Sequence, residues 1–207
     1  MKFFETSKYF SVKKSTYINL RWIAILGQLI TINLVYLIFG FEFNLILENL
    51  VIVAGILSNL YLIYINQKTQ LLDKTAFFFL LIDLLQLSCL IYLTGGMSNP
   101  FSIFLIIPAI FSSSILGFRS NLLLAIITVS IIFFLTFFYH SLPLQVEVHY
   151  HMSPYYYYSI PVSLIIALTF LNYFALTFGT ESRLRKEALN KMEEIMSKEH
   201  ELLSLGG

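Results

Sequence analysis

The sequence predicts an all-α membrane protein, a six-transmembrane-helix bundle followed by a C-terminal cytoplasmic helix. Of the 207 residues, 57% are hydrophobic and only 12% are charged, and the mean hydropathy is +0.78. A soluble domain carries about 25% charged residues, so a soluble globule of this composition could not cover its surface. The same values exclude a disordered chain. A net charge of +1 offers no basic surface for nucleic acid, and a single cysteine excludes a disulfide scaffold.

Six apolar stretches are candidates for bilayer-spanning helices, which need about 20 mostly apolar residues each. We predict them at residues 20–39, 47–65, 75–93, 101–116, 121–139 and 158–178. The fourth is the shortest, and we expect it to tilt less or to thin the bilayer locally. Residues 1–19 are polar and rich in lysine, with no small-residue cleavage site after the first apolar run. They are therefore predicted to be a cytoplasmic N-terminal segment and not a signal peptide.

The basic residues predict the orientation of these spans. Arg21 is assigned to the cytoplasmic flank at the start of span one, and every other lysine and arginine precedes span one, follows span six, or lies between spans two and three or spans four and five. The three remaining loops, residues 40–46, 94–100 and 140–157, contain no lysine or arginine. The positive-inside rule then places both termini in the cytoplasm of a multi-pass protein, which we expect in the bacterial inner membrane.

This orientation predicts which loops a reagent added to the periplasm can reach. In a Cys89→Ser background, the single-cysteine variant His149→Cys should react with a membrane-impermeant maleimide in intact spheroplasts. The variant Lys68→Cys should react only after the membrane is permeabilised, because its loop is predicted to be cytoplasmic. The opposite labelling pattern would contradict the predicted orientation.

Residues 179–207 differ in composition from the spans and are predicted to form a cytoplasmic linker helix. Ala188, Met192, Ile195 and Leu202 share one stripe at helical spacing, although Glu199 interrupts it. This segment is expected to continue directly out of span six. Because the apolar residues run up to Gly206, we expect the stripe to lead into a further domain.

The turn at residues 94–101, between spans three and four, is the most distinctive motif. Gly95 and Gly96 allow a tight turn that brings backbone amides close to a ligand. Asn99 can donate and accept hydrogen bonds, Pro100 stiffens the entry to span four, and Phe101 offers a ring for stacking. These groups suit a lipophilic ligand with carbonyl oxygens, such as a quinone. The residues alone nevertheless favour an ordinary turn, because Gly-Gly and Asn-Pro are common turn dipeptides.

The segment from Gly95 to Phe101 resembles the GGxxNPF heptapeptide of RegB/PrrB-type redox-sensing histidine kinases, and all five fixed positions match. Residues 20–28 and 199–207 also resemble segments of that family, so the resemblance covers the whole chain. It implies that the chain is the N-terminal transmembrane sensor portion of such a kinase. In that family the heptapeptide is implicated in ubiquinone sensing. The resemblance thus implies quinone-binding residues, namely Gly95, Gly96, Asn99, Pro100 and Phe101.

The resemblance also implies partners and an activity for the full protein. The expected protein is a homodimeric, ATP-dependent autokinase that phosphorylates a cognate response regulator. We expect ATP binding and catalysis only in a kinase core beyond residues 179–207, so this chain alone should show no kinase activity. The alternative is a small polytopic membrane transporter or a quinone-linked membrane enzyme subunit. That alternative would need further buried ionisable residues along a path for protons or metal ions.

Asp83 is predicted to be the only acid within a span, roughly midway along span three. Gln86 follows three residues later on the same helix face. Charged residues at this depth are costly and face a cavity, a partner or the bundle interior. One interpretation makes the pair a polar, proton-linked wall of a ligand cavity beneath the turn. The other makes Asp83 a protonated side chain that hydrogen-bonds to Gln28, Asn33 or Asn59 and joins helices.

Histidines and the single cysteine are the other residues that could bind a metal or react. His149 and His151 in an extended segment could lie on one side of the chain, with His140 as a third nitrogen ligand. Two close histidines without a fixed third ligand are weak evidence, so we predict no metal site. Cys89 is predicted to be a buried small hydrophobic residue.

Overall fold

The computed structural model of the protein describes residues 14–39, 43–65, 73–140 and 153–205. These residues form six α-helices and two short 3-10 helices, with no β-strand among them. The α-helices are α1 (Lys14–Phe39), α2 (Leu45–Ile65), α3 (Asp73–Leu93), α4 (Ile106–Ile115), α5 (Phe118–Phe137) and α6 (Pro154–Leu205). The 3-10 helices, Gly96–Ser98 and Pro100–Leu105, lie between α3 and α4.

Five of these helices contain segments long and apolar enough to cross a membrane. The segments are Lys14–Ile38, Leu45–Ile65, Asp73–Leu93, Phe118–Phe137 and Tyr155–Thr177. Each overlaps a span that the sequence predicts, which confirms the predicted all-α membrane fold. Many large apolar side chains on these helices point outward, such as Ile23, Tyr64 and Phe133. This is the surface that contact with lipid requires.

The fourth predicted span, 101–116, is not a single α-helix. It begins as the 3-10 helix Pro100–Leu105 and continues as α4, and its apolar portion is Pro100–Ser113. A 3-10 helix rises about 2.0 Å per residue and an α-helix about 1.5 Å, so the two segments extend to at most about 27 Å. This approaches the roughly 30 Å of the hydrocarbon core. The tighter 3-10 winding therefore lets the shortest span reach nearly across the bilayer.

Helix α3 lies at the centre of the bundle. It packs against α2 on one side and against α4 and α5 on the other, while α1 packs mainly against α2, and α6 against α4 and α5. The larger apolar core includes Leu84, Leu105, Leu124 and Leu168. A smaller core of Ile25, Ile52 and Leu90 joins α1, α2 and α3. We refer to that second region as the α1–α2–α3 seam.

Buried polar side chains connect the last three helices. The Oγ atom of Ser112 on α4 bonds to Oδ1 of Asn121 on α5. The amide of Asn121 donates to Oδ1 of Asn172 on α6 at 2.9 Å. All three residues are buried. Hydrogen bonds of this kind hold transmembrane helices together where apolar packing alone offers little preference over lipid.

Helix α6 runs without interruption from the membrane-spanning segment to Leu205. This agrees with the predicted continuation of span six into a C-terminal helix. Beyond the span, Leu184, Leu189, Met192 and Ile195 are exposed. The continuous helix thus joins the bundle directly to the residues around Leu205.

Candidate functional site: the glycine turn and the charge cluster

The predicted turn begins where α3 ends, with two glycines in the left-handed region. Gly95 has φ 99° and Gly96 has φ 60°. Side chains other than hydrogen are disfavoured there, since the Cβ atom approaches the following carbonyl oxygen. The two glycines reverse the chain into the 3-10 helix Gly96–Ser98. The tight turn that the sequence predicts is therefore present.

Gly96 also packs against the end of α5. A Cβ atom built at Gly96 would lie 2.6 Å from the Cβ atom of Tyr139 and 2.9 Å from the backbone oxygen of Leu135. Nearby, the backbone N–H of His140 donates to the carbonyl oxygen of Tyr92 at 2.9 Å. These contacts join the ends of α3 and α5, so the backbone at Gly96 faces protein and not an open cavity.

Asn99 uses its side chain within the turn. Its Nδ2 atom donates to Oγ1 of Thr94 at 2.6 Å and contacts the Thr94 carbonyl oxygen at 3.3 Å. Its Oδ1 atom accepts from the backbone N–H of Phe101 at 2.9 Å and caps the 3-10 helix Pro100–Leu105. Pro100 occupies the first position of that helix, where no N–H is needed. Asn99 and Pro100 thus set the direction in which the fourth span leaves the turn.

Phe101 is the residue of the turn that presents a large apolar surface outward. The residue is 37% exposed, and its ring stacks on the ring of Phe104 with centroids 5.9 Å apart. Ile103 and Phe104 beside it are also exposed, at 53% and 44%. We call Phe101, Ile103 and Phe104 the aromatic face. It is an apolar surface next to a rigid polar turn, as a lipophilic ring with polar substituents would require.

Asp83, the buried acid of α3, pairs with Arg21 of α1. Arg21 Nη2 donates to Asp83 Oδ1 at 2.7 Å, and Arg21 Nε lies 2.9 Å from Oδ1 and 3.1 Å from Oδ2. The Tyr17 hydroxyl donates to Asp83 Oδ2 at 2.9 Å. The guanidinium fork matches the two carboxylate oxygens, which makes this the strong, oriented form of an ion pair.

Helix α2 completes this group. Arg21 Nη2 donates to Oγ of Ser58 at 2.9 Å, and Nη1 donates to Oδ1 of Asn59 at 3.3 Å. The guanidinium also lies 5.2 Å from the ring centre of Phe79, within cation–π distance. We call Tyr17, Arg21, Ser58, Asn59 and Asp83 the charge cluster. It links α1, α2 and α3 through side chains that all have partners.

The charge cluster corrects two interpretations made from the sequence. Arg21 was assigned to the cytoplasmic flank of span one, yet it is only 4% exposed and lies within α1. Asp83 does join helices, but its partners are Arg21 and Tyr17 and not Gln28, Asn33 or Asn59. An arginine near the start of one span and an aspartate within another is the signal that could have indicated this pair.

Gln86 forms a second polar contact in the α1–α2–α3 seam. Its Nε2 atom donates to Oε1 of Gln28 on α1 at 2.8 Å. Gly55 of α2 makes room for it, since a Cβ atom there would lie 2.7 Å from Gln86 Nε2. Asp83 precedes the end of α3 by ten residues, or about 15 Å along the helix. The structure therefore brings Asp83 and Gln86 to the seam and not to the turn.

Glu48 is a buried acid that the sequence analysis missed. It lies in the first turn of α2 and is fully buried. Its position as the second residue of the predicted span 47–65 was the available signal. Cys89, predicted to be buried, is instead exposed on the surface of the bundle, because it lies on the side of α3 away from the main core.

The predicted histidine group is only partly described. His149 and His151 lie outside the described residues, and His140 is seen bonding to Tyr92 through its backbone. Among the described residues, no group of three or more histidine, cysteine, aspartate or glutamate side chains is arranged to hold a metal ion.

Comparisons with known proteins match nearly the whole chain. The family model described as the PilS-like transmembrane domain matches residues 13–189. The sensor histidine kinase RegB of Cereibacter sphaeroides is 28% identical over 193 residues, which is 93% of this chain. The chain spans 42% of the length of that relative. No solved structure matches.

Proposed function

The chain belongs to the PilS-like transmembrane domain family, and from this membership we propose that it is the membrane sensor region of a two-component histidine kinase. The observation that carries the proposal is the similarity to RegB along 93% of the chain, together with the heptapeptide between the third and fourth spans. A motif that short would recur by chance in many proteins. The similarity also extends over the spans on both sides of the motif, which supports the same assignment.

We propose that the sensor responds to the redox state of the quinone pool at the turn and its aromatic face. Gly95, Gly96, Asn99 and Pro100 hold the turn, since their backbone and side-chain groups are engaged within it. Phe101 supplies the ring against which a quinone head group would stack, because it is exposed beside Phe104. A ligand dissolved in the bilayer would approach this face laterally.

Signal transfer follows from the position of α6. Helix α6 packs against α4 and α5, and α4 continues directly from the aromatic face. The Asn121–Asn172 bond connects this unit to the helix that leaves the membrane. Oxidised and reduced quinone must differ in their preference between two arrangements of these helices. A ligand that binds both arrangements with equal affinity does not change their populations. We propose further that the signal reaches a homodimeric kinase core. That core phosphorylates a response regulator.

Replacing Phe101 by alanine should weaken quinone binding about three- to tenfold. The lost stacking contact accounts for this, since an aromatic pair contributes roughly 0.5–1.5 kcal/mol beyond the area it buries. The measurement is titration of a short-chain ubiquinone into the purified protein in nanodiscs, followed calorimetrically. Phe78→Ala is the matched control, because Phe78 is also exposed but lies near the opposite end of α3.

Two results would contradict the proposed site. The first is equal quinone affinity in wild type, Phe101→Ala and Phe78→Ala, which would leave the aromatic face as a lipid contact only. The second is an equal loss in both phenylalanine variants, which would indicate general partitioning into the bundle surface. Loss in Phe101→Ala alone supports the site.

A further inference from the structure

Glu48 is a carboxyl group buried without a hydrogen-bond partner. The residue is 0% exposed, and neither Oε1 nor Oε2 has a partner among the described residues. They are the only buried side-chain oxygen or nitrogen atoms in the described part of the chain to lack one. Every polar group of the charge cluster, by contrast, has a partner. Glu48 is therefore the exception among the buried polar side chains that the structure describes.

Glu48 does not serve as a cap for α2. Asn44 fills that role, since its Oδ1 atom accepts from the backbone N–H of Leu47 at 3.2 Å. In a capping box, the glutamate lies three residues after the capping residue. That position is occupied by Leu47 in this chain, and Glu48 lies one residue further on. The positive end of the helix dipole favours an anion there, but this attraction is much smaller than the cost of removing an ion from water.

Among the residues that the structure describes, none pairs with Glu48 as a countercharge. Ile52 follows one turn later on the same face of α2 and packs with Ile25 and Leu90 in the seam. Cys89 of α3 interacts electrostatically with Glu48, and a thiol supplies no positive charge. Arg21, the buried cation of the seam, is committed to Asp83. An isolated carboxylate in such a site is strongly disfavoured, whereas the neutral acid is not.

We propose that Glu48 is an intramembrane protonation site, held as the neutral carboxylic acid while the α1–α2–α3 seam is closed. The proton is released only when the seam opens far enough for water or a hydrogen-bond donor to reach the carboxylate. Protonation and closure of the seam are thus linked equilibria. This inference does not depend on a quinone ligand, because it rests on the packing of Glu48 alone.

Infrared spectroscopy of the protein in nanodiscs tests the protonation state directly. Wild type should show the carbonyl stretch of a protonated carboxylic acid at neutral pH, and Glu48→Gln should lack it. The matched control is Glu193→Gln, which removes an exposed acid of α6 and should leave the band in place. If Glu48→Gln does not fold, Glu48→Leu replaces it, since an apolar side chain of similar size needs no partner in this site.

The same variants test the linkage to stability. The unfolded chain carries an ionised glutamate at neutral pH, whereas the folded chain keeps the proton, so stability should fall as pH rises. Relative to Glu48→Gln, the unfolding equilibrium constant of wild type should increase by up to about tenfold for each pH unit in mixed micelles. Absence of the infrared band in wild type, or identical pH slopes in both proteins, would overturn the proposal and indicate an ionised Glu48.

Discussion

Replacing Asp83 by leucine is expected to lower the free energy of unfolding by about 3–5 kcal/mol, the usual consequence of leaving one charge of a buried pair alone. Arg21 would keep its charge, since a guanidinium does not lose its proton in proteins. It would also lose its fork of contacts with the carboxylate. Asp83→Asn should be damaging for the same reason, although asparagine can accept a hydrogen bond. Steric trapping in bicelles measures these changes.

A double variant separates the pair from other effects at these positions. Arg21→Met combined with Asp83→Leu removes both charges and should recover most of the stability lost in either single variant. Glu194→Gln is the control, because it breaks an exposed ion pair with Lys198 and should cause no measurable change. Single variants as stable as wild type would show that the charge cluster does not hold α1 to α3.

Replacing Gly96 by alanine should destabilise the protein by about 2–5 kcal/mol. A left-handed backbone disfavours an L side chain by roughly 1–2 kcal/mol, and forcing atoms into a packed site adds roughly 1–3 kcal/mol. Both conditions hold here, with φ 60° and a neighbouring Tyr139 Cβ atom at 2.6 Å. The same unfolding measurement applies, and the ends of α3 and α5 should separate first.

Gly27→Ala provides the matched control for this substitution. Gly27 lies within α1, and nothing stands within 4 Å of the position its Cβ atom would take. Alanine should therefore stabilise the helix by roughly 0.5–1 kcal/mol. If the two glycine variants changed stability by the same amount, the turn would not need glycine at Gly96, and its role in orienting the fourth span would be lost.

The spans were predictable from the sequence because bilayer thickness and hydropathy act locally. A stretch such as 75–93 is apolar enough to be recognised without knowledge of its neighbours, and α3 covers Asp73–Leu93. The 3-10 winding at Pro100–Leu105 was not predictable in this way. It follows from how Asn99 and Pro100 start the helix, and from the packing of Met97 and Leu105 in the core.

The candidate site was predictable where a residue acts through its own backbone. Gly95 and Gly96 adopt the positive φ angles that a tight turn needs, as the dipeptide indicated. The role of Asn99 was not predictable, since an amide can face a ligand or the backbone, and here it bonds to Thr94 and Phe101. Quinone binding by this turn stays a prediction.

The sequence by itself determined the membrane class, the approximate spans and the similarity to RegB, because hydropathy and a contiguous motif are properties of neighbouring residues. The tertiary structure alone decided the partners of the buried charges. Arg21 and Asp83 are 62 residues apart and meet only when α1 and α3 both pack against α2. The burial of Glu48 likewise depends on how the helices pack around α2. Polar groups in an apolar interior depend on which helices adjoin, and sequence spacing does not encode that arrangement.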